Sequence, residues 1–167
     1  MLRRWIVSLT LLTGCSAPFR STISFTGPEI EQKIAHHFPI EKSAIVASVT
    51  LANPRVLFEE QSDRIGVELD AIATVLGEDH PGVAAVLGHL RYEPQTGEFF
   101  LTDPELIRLD IPDLQEEHKE PVRLVASAVV AATLPNIPVH RIDDPSHKAW
   151  IKSVEVRDQA VQVELGI

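Results

Sequence analysis

The sequence predicts an α+β fold: a strongly curved antiparallel β-sheet wrapped around a long hydrophobic helix in the C-terminal half, with a short N-terminal helix. Three observations lead there. Between residues 43 and 111 apolar and polar side chains alternate with period two, the mark of half-buried strands. From Val122 to Leu134 the only charge is Arg123, a composition suited to a helix buried on most sides. After Trp150 the alternation returns and ends the chain as a hairpin. Strands follow strands without intervening helices, which favours α+β over a βαβ arrangement.

The elements follow in order. Thr26-Gly27-Pro28-Glu29 has the spacing of a capping box, with proline inside the first turn. Ile30, Ile34 and Phe38 then place one apolar stripe on a helix ending near Pro39. Ile45, Ala47, Val49 and Leu51 read as one face of a strand that breaks at Asn53-Pro54 and resumes over Arg55 to Phe58. Ile65, Val67, Leu69, Ala71, Ala73 and Val75 form the clearest half-buried strand. A turn is expected over Gly77 to Gly82, then a strand through Ala84, Val86, Leu90 and Tyr92, and a second turn at Pro94-Gln95-Thr96-Gly97. Phe99, Leu101, Ile107, Leu109 and Ile111 complete a four-strand meander, with Pro104 marking a bulge or bend. The acidic stretch Gln115 to Lys119 suits a helix start, and Pro135 and Pro138 end that helix. A turn at Asp158-Gln159 separates Val154 and Val156 from Val161, Val163 and Leu165. Strands of about 12 residues would run about 40 Å, and such strands must twist and curl around what they cover.

A chain of 167 residues holds one domain with a real core. Its net charge of -9 argues against a nucleic-acid partner, which needs a basic face. The single cysteine excludes an internal disulfide framework and a multi-cysteine zinc site. No apolar run reaches the roughly 18 residues of a spanning helix.

That cysteine, Cys15, stands in a telling context. Arg3 and Arg4 precede the apolar stretch Ile6 to Leu12, and Leu12-Thr13-Gly14-Cys15 resembles the lipobox of bacterial lipoproteins. Small residues admit the peptidase to the Gly14–Cys15 bond, and the thiol is the atom that would be acylated. The competing reading is a free buried cysteine. The lipobox reading divides the chain into a signal peptide at 1–14, a lipidated tether at 15–25 and a single domain at 26–167. Losing Arg3 and Arg4 with the leader would make the mature chain -11.

The mature chain as a whole resembles the YceB-like family of bacterial envelope lipoproteins. The residues that carry the likeness are Cys15, Thr26…Glu29-Ile30 leading to His37-Phe38-Pro39, and Val49-Thr50-Leu51-Ala52-Asn53-Pro54. The Leu87 to Tyr92 strand, Glu98-Phe99-Phe100-Leu101 and Pro138-Val139-His140-Arg141-Ile142 continue it. The resemblance implies a fold similar to tubular lipid-binding proteins, an apolar groove between the sheet and helix 115–134, and no catalytic residues. With Ser16 after the cysteine, it also implies anchoring through acylated Cys15 in the inner leaflet of the outer membrane, facing the periplasm.

The residues themselves offer no catalytic constellation. No serine lies in a Gly-x-Ser-x-Gly elbow, and acylation would remove the only thiol. His140 and His147 flank Asp143-Asp144, which reads as ordinary turn chemistry or, alternatively, a loop metal site. His36 and His37 point about 100° apart on a helix, which suits the macrodipole better than a shared ion. No cofactor or metal is expected. Ile45, Val49, Val67, Leu69, Val86, Leu101, Val125 and Val129 are either plain core or the lining of a lipid groove. The frequent alanines, among them Ala126, Ala128, Ala131 and Ala132, suit either unfilled space beside the helix or close packing. Two functions compete: a lipid- or lipophile-binding lipoprotein, and a scaffold lipoprotein that contacts an envelope protein partner.

Overall fold

In the computed structural model, residues 20–58, 64–142 and 151–166 are described. In chain order they form β1 (Arg20–Thr26), α1 (Gly27–Ala35), β2 (Ile40–Ser43), β3 (Ala47–Phe58), β4 (Arg64–Val75), β5 (Glu78–Glu93), β6 (Glu98–Asp110), α2 (Glu116–Thr133), β7 (Pro138–Arg141), β8 (Ile151–Arg157) and β9 (Ala160–Gly166). Strands β2 to β7 lie in sequence order in one antiparallel sheet, and β1, β9 and β8 form a second, three-stranded sheet. The fold is α+β, and the larger sheet curls strongly into a half-barrel.

Period two produces the curled sheet. In β4 every second residue from Ile65 to Val75 is buried, and it meets its neighbours in register, Ala73 opposite Val49 and Val67 opposite Val86. Strands of 12, 12, 16 and 13 residues for β3 to β6 accumulate twist along their length. Register shifts at Asn53 and Asp103 add to the bend. Asn53, at φ 49°, marks the register shift between Ala52 and Arg55, so β3 continues past Pro54 as expected. Asp103, at φ 48°, precedes Pro104 at the irregular stretch of β6 opposite Leu87 to His89. Both residues have short polar side chains, the type that tolerates the left-handed region.

Several expectations need correction. The turn predicted over Gly77 to Gly82 is only Leu76-Gly77, because β5 starts at Glu78. Pro81 and Gly82 fit within that strand because β6 joins β5 only from Val83, so one side there has no ladder to break. Residues 20–25, assigned to a tether, instead belong to β1, which pairs with β9 from Arg20–Gly166 to Thr26–Ala160. The short edge strands β2 and β7 add to the expected meander, and β8–β9 is the expected hairpin, turning at Asp158-Gln159.

The largest correction concerns α2. This helix has 18 residues, extended by a 3-10 turn at Leu134–Asn136, and it packs against β2, β3 and β6. It is buried on one face only, through Val122, Val125, Ala126, Val129 and Val130. Arg123, Leu124, Ala128, Ala131 and Ala132 face solvent. The expected all-round burial fails because alanine is also the best helix former on an exposed face. Each buried valine contributes about 1.5–3 kcal/mol, so one stripe is enough to hold the helix.

At the N-terminal side, Ile30 and Ile34 bury the inner face of α1. The Thr26 N–H and hydroxyl both donate to Glu29 Oε2, at 2.7 and 3.0 Å. Glu31 reaches across to accept the Val56 N–H at 2.7 Å, which fixes α1 on β3 beyond its bulge. Among the described residues, no helix is long and apolar enough to cross a membrane.

Candidate functional site

Among the described residues, a cavity opens where two hairpin ends meet the start of α2. The β2–β3 turn closes with the Ala44 N–H donating to the Ala47 carbonyl at 2.8 Å. Beside it the β4–β5 turn places Leu76 at φ 52° and Gly77 at φ 87°, between the paired residues Val75 and Glu78. Positive φ at both central residues is the hairpin geometry that asparagine followed by glycine fills best. For leucine the left-handed conformation costs about 1–2 kcal/mol.

The resulting cavity has a volume of about 570 Å³. Its walls are mainly apolar, from Ala44, Ile45, Val46, Ala47, Val75, Leu76 and Pro121, with Ser43, Ser48, Thr74 and His118 supplying polar groups. Ile45 is 104% exposed, Leu76 88% and Val46 59%. Such exposure of three large apolar residues around one opening is unusual, because these residue types are among those most often buried. His118 is half-buried, its Nε2 3.6 Å from Glu117 Oε1, and the Thr74 hydroxyl donates to Asp79 Oδ1 at 2.7 Å. These groups can orient a polar end of a ligand while the walls accept an apolar body.

Of the eight residues named from the sequence, the structure brings only Ile45 to this site. Val49, Val67, Leu69, Val86, Leu101, Val125 and Val129 lie together in the hydrophobic core. Ile45 departs from its expected strand face because β3 begins at Ala47, and a turn does not keep the strand's alternation. Cys15, the segment 1–14 expected to be a signal peptide, Asp143, Asp144 and His147 lie outside the described residues. His36, His37 and His140 line another cavity, of about 490 Å³, together with Lys33, Glu98 and Arg141. Among the described residues, no three His, Cys, Asp or Glu side chains gather as a metal site.

Val46, Leu76, His118 and Pro121 escaped the sequence reading. A usable signal existed for Leu76: a Leu-Gly pair between two alternating runs occupies the place of an Asn-Gly hairpin turn. Nothing local marks His118 and Pro121, which reach the site through the packing of α2.

No curated protein matches this chain. Among solved structures, that of P47 from Clostridium botulinum A2 is similar with a TM-score of 0.56 at 9% identity. The match covers 87% of this chain but only 43% of that one, so this chain spans less than half of its neighbour's length. At that identity the likeness is one of fold. Residues 25–166 match the family described as protein of unknown function (DUF1439), and the chain belongs to that family.

Proposed function

We propose that this protein binds a lipid or other lipophilic ligand, without catalysis, in the cavity between the β2–β3 turn, the β4–β5 turn and the start of α2. The observation that carries this reading is an apolar cavity of about 570 Å³ opening between exposed Ile45, Val46 and Leu76. That volume falls within the range of about 300–1,000 Å³ usual for small-molecule sites. The groove expected along the whole helix contracts to its N-terminal end, because Val122, Val125, Ala126, Val129 and Val130 are packed into the core beyond it. The curled half-barrel is compatible with a lipid-binding role.

In this reading Cys15 is the acylated first residue of the mature chain, held in the outer membrane and facing the periplasm. Multiple acyl chains would anchor it firmly, since each buried CH₂ contributes about 0.8 kcal/mol. A second reading, a scaffold that docks an envelope protein, is favoured by the filled core together with exposed apolar hairpin tips.

Lipid extraction of the purified protein followed by mass spectrometry, and titration with a fluorescent fatty acid, test the first reading. Bound lipid and saturable uptake are expected, with uptake reduced at least about tenfold, equivalent to about 1.4 kcal/mol, in Ala47→Leu, which fills the cavity. Absence of both lipid and uptake would remove the proposal.

A further inference from the structure

We propose that the hairpin tips carrying Ile45, Val46 and Leu76 insert into the surface of a bilayer of zwitterionic lipids, so that the cavity mouth opens onto the membrane. This rests on the ligand reading above and adds the surface from which a ligand would enter.

Backbone conformation is the first support. Five non-glycine residues among those described have positive φ: Asn53, Leu76, Asp103, Asp158 and Gln159. Asn53, Asp103 and Asp158 are of the short polar types that tolerate this region, and Gln159 is a polar residue of the β8–β9 turn. Leu76 is the apolar residue among the five and is 88% exposed, so neither backbone preference nor core packing accounts for it. Such a strained outlier on a surface points to a requirement outside the folded chain.

Area and charge then select the occupant. The three side chains offer on the order of 400 Å², the size of a single surface patch, against about 800 Å² per partner in a stable protein interface. They stand on two neighbouring hairpin ends, a shape that enters a fluid interface more readily than it matches a second folded surface. Both tips are uncharged, over residues 43–52 and 71–77. The flanking charges are Glu41 and Lys42 on β2, Asp70 on β4, Glu78 and Asp79 on β5, and Glu116, Glu117 and Lys119 on α2, with the imidazoles of His80 and His118 nearby. Acidic groups outnumber basic ones there, and the whole chain carries -9. Anionic head groups would therefore repel this end, whereas zwitterionic ones leave the apolar contribution intact.

The test uses the mature chain from residue 15 with Cys15→Ser, so that neither the apolar leader nor an acyl anchor holds it, and vesicles of phosphatidylcholine brominated on the acyl chains. Ile45→Trp places a fluorophore at the tip, and Gln95→Trp places one on the β5–β6 turn at the other end of β5; the signal of Trp150 is subtracted with the parent. Emission from position 45 is expected to be quenched and that from position 95 to persist. Adding Leu76→Asn to Ile45→Trp should weaken vesicle binding about tenfold, as loss of one inserted leucine implies. Unquenched emission at position 45, equal quenching at both positions, or quenching that requires phosphatidylglycerol would overturn the proposal. Fluorescent fatty-acid uptake measured without vesicles keeps the two readings apart: uptake without tip quenching retains the ligand site and removes the membrane contact.

Discussion

The imidazole of His140 lies flat on the ring of Phe25, with centroids 4.1 Å apart and planes within 5°. Phe25 belongs to β1 and His140 to β7, so this stack joins the three-stranded sheet to the edge of the half-barrel. Phe99 tilts against Phe25 at 5.3 Å, and Tyr92 against Phe99 at 5.0 Å, where burial raises the pKa of the Tyr92 phenol. This aromatic group ties the N-terminal strand to the meander.

Phe25, 1% exposed, is therefore expected to be a major stability determinant. Phe25→Ala should lower the unfolding free energy by about 3–5 kcal/mol in urea denaturation. A cost below about 1 kcal/mol, the size of an ordinary surface change, would show that the two sheets are held together by other contacts.

Leu76→Asn should act in the opposite direction. Asparagine tolerates φ near +50°, so the variant should gain about 1 kcal/mol and melt about 2–4 °C higher. Differential scanning calorimetry measures this, and an unchanged or lower melting temperature would contradict strain at position 76.

One face of α2 should tolerate a charge and the other should not. Ala126 is fully buried and Ala131 is exposed. Ala126→Lys should unfold the protein or cost more than about 4 kcal/mol, while Ala131→Lys should stay within about 0.5 kcal/mol of the parent. Circular dichroism during denaturation separates them, and equal damage from both would restore a helix enclosed on all sides.

Glu29 supplies a pH signature. The Thr26 N–H, and secondarily its hydroxyl, hold the carboxylate charged and lower its pKa below the usual carboxylate value. Its contribution to stability is fully present above the unfolded-state pKa and is lost as pH falls through the folded-state pKa. The stability difference between the parent and Glu29→Gln should therefore shrink steadily on acidification. Denaturation midpoints across the acid range measure it, and a constant difference would remove the capping carboxylate as its cause.

Local physics made much of the molecule readable in advance. Alternation located the inner face of β4, the spacing of Thr26 and Glu29 located the start of α1, and turn residues located Pro94 to Gly97 and Asp158-Gln159. Each depends on residues near one another in the chain, whose preferences survive whatever packs around them. The resemblance of Leu12-Thr13-Gly14-Cys15 to a lipobox rests on the sequence alone, because these residues lie outside the described ones.

The candidate site was decided by long-range packing. Ala126 and Ala131 carry the same side chain, yet one is core and the other surface, because their direction relative to β2, β3 and β6 sets which atoms they meet. Ile45 shares the spacing of Val49, but the chain turns before Ala47 and sends it into solvent. A linear pattern records the polarity of each residue and its periodicity. It does not record where a strand stops or which neighbours close over it, and those two choices leave Ile45, Val46 and Leu76 around one opening.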